Sequence, residues 1–541
     1  MIRFHKILTS VLCSLLSLNV CAELGMPAVF SDGAVLQCQR KIPVWGWGNP
    51  GSTVAVKFSG QTEKTKVKAD GTWLVTLNPI EPSYDRRTMT VTSGSDTLEY
   101  QDIVLGEVWL CAGQSNMEST LNAMSRRTRD EGYESVVAFM QKEKGTAKDK
   151  FLRHLKVSNK AIFSIPQRDF EGKWTACSSQ NNGEFSAVAY FFGKELRKRL
   201  DRPVGLLNTS WGSQRIDPFI PPSAWKADPG SCDGYARIVP QFKKNKASYD
   251  PEAAQKTYKV AMKVWQASGK RTREPRKPQP PSLDTPSYPG TIFNGMIHPL
   301  APYAMRGVIW YQGESHNQNR AHHYGKKLEM LVSGIRNEWG KEDLPFYFCQ
   351  LANLREPQEQ PFEGKNNWLM VSDQIRLAAD RIPNTGMVVL NDVGQVGDIH
   401  PRNKYDVGLR LSKWALNKDY GFKNIIPAGP LYKSSKVNGA SMIVTFDHAG
   451  SELMTSEKQL MTPAEPNNKP LGGFQICGKD RVWKWAEAKI IGNNQVRVFE
   501  ISIKNPIGVR YAWQSNPVRS NLYNKEGLPA GLFSSLSPAT Q

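Results

Sequence analysis

At 541 residues with 40% hydrophobic side chains, the chain is too long for one ordinary core and too apolar for a disordered protein, so two or three packed domains are expected. A formal charge of +20 raises nucleic acid as a partner, but the basic residues are scattered. The densest cluster, Lys270 to Lys277, runs into Pro278–Pro281 and reads as a solvated linker, so a basic surface is expected in place of a nucleic-acid site.

Residues 1–22 read as a cleavable secretion signal. Arg3 and Lys6 precede the apolar run Ile7–Leu18, and Val20-Cys21-Ala22 offers small residues before a cut. The run is shorter than the ~20 residues of a spanning helix, and no other stretch could span a bilayer. A soluble, secreted or periplasmic protein is the expectation, with no membrane insertion after signal removal. Beyond the signal, Cys38, Cys111, Cys177, Cys232, Cys349 and Cys477 are widely spaced, with no Cys-x-x-Cys pattern. Cys111 and Cys349 lie in apolar runs and read as buried thiols, while disulfide pairing is left open.

Residues 23–101 read as an N-terminal β-sandwich. Val54, Val56 and Phe58 alternate with polar neighbours, as do Trp73, Val75 and Leu77, and Asp70-Gly71 is a hairpin signal. From 102 to 425, short strands alternate with amphipathic helices, which implies an α/β domain with a parallel sheet. Its helical stripes are Val188-Phe192-Leu196-Leu200 with Ser186 as N-cap, Tyr324-Leu328-Leu331-Ile335-Trp339, and Val407-Leu411-Trp414. Residues 120–150 and 228–290 read as polar insertions. Strand signals return over 426–541, where Ser441–Phe446 and Gln495–Phe499 are examples, giving a C-terminal β-rich domain.

Four junctions in the α/β segment carry the chemistry. Val108-Trp109-Leu110-Cys111 leads into Gly113-Gln114-Ser115-Asn116-Met117, and Val204–Leu207 leads into Asn208-Thr209-Ser210-Trp211-Gly212. Gly307–Tyr311 leads into Gln312-Gly313-Glu314-Ser315, and Met387–Leu390 leads through Asn391-Asp392 to Asp398-Ile399-His400-Pro401. Continuously apolar runs suit strands buried on both faces, and ligands of open α/β sheets bind at the carboxyl ends of such strands. Ser115, on a tight turn, is the expected nucleophile, and His400 the base that makes it reactive near neutral pH. Asp398 would hold the imidazole, with Asp392 or a backbone carbonyl as alternatives. The backbone N–H groups of Ser115 and Gly212 and the side-chain amide of Gln312 are the expected oxyanion donors. Gln114, Asn116, Glu314 and Arg215 are the expected substrate contacts, although Arg215 and Asp217 are equally readable as an ion pair. His316, His322 and His323 lack an acid or cysteine to complete a zinc site, so neither a metal nor another cofactor is expected.

Taken together, these motif blocks resemble those of the sialate O-acetylesterase family of SGNH hydrolases. The likeness extends to Phe30-Ser31-Asp32-Gly33-Ala34-Val35-Leu36-Gln37 and Gly106-Glu107-Val108-Trp109-Leu110 upstream. It also takes in Arg510-Tyr511-Ala512-Trp513, Asn521-Leu522-Tyr523-Asn524 and Gly527-Leu528-Pro529-Ala530 downstream. The resemblance implies an SGNH-type three-layer parallel-sheet domain flanked by β-sandwich regions, and metal-free removal of O-acetyl groups from sugars, sialic acids above all. It assigns the serine, glycine and histidine blocks to Ser115, Gly212 and His400, with Gln312 in the place of the usual asparagine. Gly397 stands where the usual acid would be, three residues before the histidine, and Ser213 stands where a second glycine is frequent. An acetyl-xylan or other polysaccharide esterase, a lipase-like esterase without an apolar stripe to hold an acyl chain, and a non-catalytic glycan-binding protein are the rival readings.

Overall fold

A computed structural model describes residues 23–126, 128, 130–272, 274–316, 321–362 and 366–536. The expected signal 1–22 and Arg273 of the basic cluster lie outside the described residues.

Eleven strands join in one sheet, whose main path runs Thr385–Val388, Phe346–Cys349, Gly307–Tyr311, Asp96–Gly113, Val204–Asn208, Leu152–Lys156, Trp174–Ala176. Neighbours on this path are parallel except the last pair. Because strand side chains alternate between faces, the continuously apolar runs feed two cores. Leu110, Leu207, Val308 and Trp310 pack on one face with Leu328, Leu331 and Ile335 of helix Tyr324–Trp339. Trp109, Cys111, Ile309 and Tyr311 pack on the other with helices Ala187–Leu200 and Lys404–Lys418, through Val188, Phe192, Leu196, Val407, Leu411 and Trp414. All three predicted stripes therefore face the sheet. Ser186 caps its helix by accepting from the Ala189 amide at 3.2 Å, a cap worth about 1 kcal/mol.

The strand Asp96–Gly113 links the N-terminal β region to the α/β core. Its first part pairs antiparallel with Ser83–Ser93, and its last part lies between Gly307–Tyr311 and Val204–Asn208. It continues unbroken through residues 101 and 102, where Asp102 takes a left-handed φ of 56°.

Asp70-Gly71 forms a turn, with φ 79° at Gly71, but not a hairpin. Gln61–Lys66 before it pairs with Thr53–Phe58, and Thr72–Leu77 after it pairs with Ile42–Trp47. The turn passes the chain from one pairing to another. The hairpin turn is Ser59-Gly60, where both residues have positive φ, 50° and 78°. Turn residues specify that the chain reverses, whereas core packing selects the partner strand.

In the C-terminal region, Leu431–Asn438, Ser441–Asp447, Gln495–Phe499 and Glu487–Gly492 form one four-stranded sheet. Trp483–Trp485, Phe474–Cys477, Gly508–Tyr511 and Phe533–Ser534 form another. The six described cysteines are free thiols, with Cys111 and Cys349 fully buried. Among the described residues, no helix is long and apolar enough to cross a membrane.

Candidate active site

The parallel register brings three of the four junctions to one edge. Gly113 pairs with Tyr311 and Cys111 with Asn208, so their loops leave the sheet side by side. The Gln114 amide donates to Tyr311 O (3.0 Å) and the Trp211 amide to Gly113 O (3.0 Å). Gly113 has φ 140°, and a Cβ there would lie 2.1 Å from Tyr311 O, so a side chain cannot fit. Ser115 then opens the short helix Ser115–Glu118, half-buried at its first position.

The fourth loop delivers His400. His400 Nε2 lies 2.9 Å from Ser115 Oγ, across 285 residues of chain. Asp398 accepts from the His400 amide at 2.8 Å, and its Oδ1 lies 3.5 Å from His400 Nδ1. That contact is long for a hydrogen bond but close enough to steer the ring and to favour imidazolium. Arg402 holds the other Asp398 oxygen at 3.2 Å. The alternative acid, Asp392, is taken by Arg410 in a two-pronged pair at 2.7 and 2.8 Å and accepts from the Tyr523 hydroxyl at 3.2 Å. It is a structural acid.

Partial burial, then the positive charge of Lys404, holds the His400 imidazole below its ordinary value, against the opposing pull of Asp398. The ring is therefore neutral at neutral pH and able to accept a proton. Lys404 is itself fully buried, and burial pushes it down to about 7.

Several expected contacts have other partners. The Gly212 amide donates to Glu118 Oε2 at 2.7 Å, so the second expected oxyanion donor is spent here. Glu118 in turn has Lys156 Nζ 3.7 Å away. The Gln312 amide nitrogen donates to Gln114 Oε1 (2.9 Å) and Gln214 O (3.2 Å), and its oxygen accepts from the Tyr324 hydroxyl (2.7 Å). With every polar atom of that buried amide engaged, Gln312 ties loops together and is not a free donor. Gln114, itself buried, also accepts from the Ser315 amide through the same oxygen, which ties the serine turn to the loop after Tyr311. Asn116 is likewise internal. It donates to Ile399 O (3.1 Å) and to Glu314, and accepts from Lys404 Nζ (2.5 Å), locking the serine helix to the histidine loop. Glu314 is buried with one oxygen engaged by Asn116 and the other, Oε2, without a hydrogen bond. Burial raises its carboxyl despite the Asn116 bond and Lys404. Arg215 is half-buried, and Asp217 pairs with Lys327 at 2.7 Å in preference to it. The Ser115 amide opens its helix, and the first amide of a helix has no partner within it.

The segment 120–150, read from sequence as a polar insertion, braces the histidine loop. Tyr133 donates to Gly394 O at 2.9 Å. Asp130 accepts from Gln395 Nε2 (3.1 Å) and the Gly397 amide (3.2 Å), and Gln395 Oε1 accepts from the Arg402 amide (2.7 Å). Sequence reasoning also missed Glu118 and Lys404. Each had a signal: Glu118 lies one helical turn after Ser115, and Lys404 opens a helix four residues after His400. Among the described residues, no group of three or more His, Cys, Asp or Glu side chains is placed to hold a metal ion.

Comparison with known proteins bears on this arrangement. The sequence profile of the family described as carbohydrate esterase, sialic acid-specific acetylesterase, matches residues 288–415, a span that contains Gln312, Glu314, Asp398 and His400. The chain is 27% identical over 510 residues to sialate O-acetylesterase of Mus musculus, covering 88% of this chain and 86% of that protein. It is 27% identical over 511 residues to the protein of the same name from Homo sapiens, covering 88% and 84%. A crystal structure of a carbohydrate acetylesterase from Xanthomonas citri superimposes with a TM-score of 0.74 at 30% identity, covering 95% of this chain and 99% of that one. With similarity spanning both β regions and the α/β core, the chain belongs to the sialate O-acetylesterase family of carbohydrate esterases.

Proposed function

We propose that the protein is a serine-dependent O-acetylesterase acting on O-acetylated sialic acids through an SGNH-type site, and that it works outside the cytoplasm. The observation that carries the reading is the 2.9 Å contact between His400 Nε2 and Ser115 Oγ. Ser115 Oγ attacks the acetyl carbonyl carbon while Nε2 takes its proton. The tetrahedral oxyanion is held by the Ser115 amide, joined by the Gly212 amide once the Glu118 carboxylate turns away. Collapse leaves an acetyl ester on Ser115, and Nε2 returns its proton to the departing sugar oxygen. Water, deprotonated by the same nitrogen, then attacks the ester carbonyl, and the bond to Ser115 Oγ breaks as Nε2 returns that proton to Oγ, freeing acetate. Asp398 favours the imidazolium formed in both steps.

The test is acetate release from mono- and di-O-acetylated sialic acids by wild type and Ser115→Ala. The variant should lose at least about 10⁴-fold in kcat. A variant as fast as wild type would remove the serine mechanism. A wild type that releases acetate from acetyl-xylan and none from the sialic acids would move the substrate to a plant polysaccharide. A protein that binds glycan without turnover in either form would be a binding module.

A further inference from the structure

A cavity of about 510 Å³ opens beside the histidine loop, lined among others by Glu314, Arg355, Phe362, Trp368, Ile399 and Ser515. Ile399 immediately precedes His400, and its exposed side chain forms one rim. Glu314 lies at the cavity floor, buried and closed off from solvent. Half-buried Phe362 and Trp368 supply aromatic surface.

Arg355 occupies a strained position. Its φ is 76°, a left-handed conformation unusual for a long side chain. The backbone is held there from both sides: its amide donates to Val396 O at 3.0 Å, and its carbonyl accepts from Asn516 Nδ2 at 2.7 Å. The neighbours are clamped as well. The Leu354 amide donates to Ser515 O (2.9 Å), Gln514 Nε2 to Gln358 O (2.6 Å), and Asn366 Nδ2 to Ser515 Oγ (2.9 Å). The C-terminal β region thus fixes one wall of the cavity and the histidine loop fixes the other. Backbone strain held by surrounding structure is a mark of functional positions. The Arg355 side chain is exposed and makes no ion pair among the described residues, and the other ionisable groups lining the cavity are Glu314 and Glu356.

We propose that this cavity is the sugar subsite, in which Arg355 binds the carboxylate of an acidic acetylated sugar and Trp368 and Ile399 cover its apolar face. The inference rests on the esterase reading and sharpens it, since a carboxylate separates sialic acids from neutral acetylated sugars. It also gives the C-terminal β region a part in specificity.

The test compares an O-acetylated sialic acid, its carboxyl methyl ester and 4-nitrophenyl acetate as substrates for wild type, Arg355→Met and Arg355→Lys. Methionine keeps the backbone demand of arginine while removing the charge. Arg355→Met should lose about 10- to 100-fold in kcat/KM on the free acid, mainly through KM, because one charge-assisted contact is gone. It should change by less than about threefold on the methyl ester and on 4-nitrophenyl acetate, where no such contact exists. Arg355→Lys should recover part of the loss on the free acid. Equal losses on acid and methyl ester, or no loss on the acid, would overturn the subsite while leaving the esterase reading intact. If wild type hydrolyses 4-nitrophenyl acetate but releases nothing from the sialic acid, the sialate reading fails and the subsite fails with it.

Discussion

Two buried carboxylates bracket the parallel sheet, and their surroundings are opposite. Glu107, near the start of the parallel pairing, accepts from Gln37 Nε2 (2.9 Å), Arg202 (2.8 Å), Arg306 Nε (2.8 Å) and the Tyr420 hydroxyl (3.0 Å). Burial pushes its carboxyl up, but Arg306, Gln37 and Arg202 outweigh burial and hold it below the ordinary value. Glu314, at the carboxyl end, has a single donor side chain, Asn116, and burial prevails over it, over Lys404 and over the backbone amides of its own turn. The foot of the sheet is electrostatically complete and serves stability. The head, where Ser115 and His400 meet, leaves burial the stronger influence on its carboxylate. A fold can leave its ligand-facing end underdetermined only where another part supplies the rigidity.

Replacement at the foot should be the most damaging to stability. Glu107→Gln leaves Arg306 and Arg202 without their counter-charge and should cost about 3–5 kcal/mol in urea unfolding, as broken buried pairs do. A loss under about 1 kcal/mol would show that the cluster does not brace the sheet. At the head, Glu118→Ala frees the Gly212 amide and removes a carboxylate from beside the oxyanion. We expect kcat on 4-nitrophenyl acetate to rise by up to about tenfold, given what a single oxyanion donor is worth. A fall in kcat with unchanged folding would instead make Glu118 a support of that loop.

Lys404→Met tests the electrostatics of the base. His400 must be neutral to act and is held below 6.5 by burial and then by Lys404, so wild-type kcat/KM should fall as pH drops below that value. Lys404, at about 7, is charged over that range and opposes protonation of the ring. Removing it should move the acid limb of the profile to higher pH. An unmoved limb would assign the shift to burial alone. The smallest effect is expected for Glu314→Gln. Burial already works against its charge, so an amide of the same shape should alter urea stability by less than about 1 kcal/mol. A loss as large as that at Glu107 would erase the contrast between the two ends.

The Ser115–His400 contact was legible because its signals are local: a glycine-flanked serine after one apolar run, a histidine after another. The supporting residues were harder to read. Gln114, Asn116 and Gln312 carry side chains that suit a ligand as well as a scaffold, and residue type does not tell whether an amide meets sugar or another loop. Gly212 was found as a position, yet the partner of its amide, Glu118, is set by how a one-turn helix faces a loop 94 residues away. The insertion 120–150 carries little periodicity, so its bracing of the histidine loop through Tyr133 and Asp130 was invisible until the loops met.

By itself, the sequence determined the β, α/β, β order of the chain, the helices that face the sheet and the loops that carry Ser115 and His400, because apolar period and turn chemistry act over a few residues. Tertiary structure alone decided between Asp398 and Asp392, closed the amides of Gly212 and Gln312 onto internal partners, and placed Arg355 beside the histidine loop. Those outcomes depend on which distant group reaches a buried donor or acceptor first, and that competition is settled only when the loops pack together.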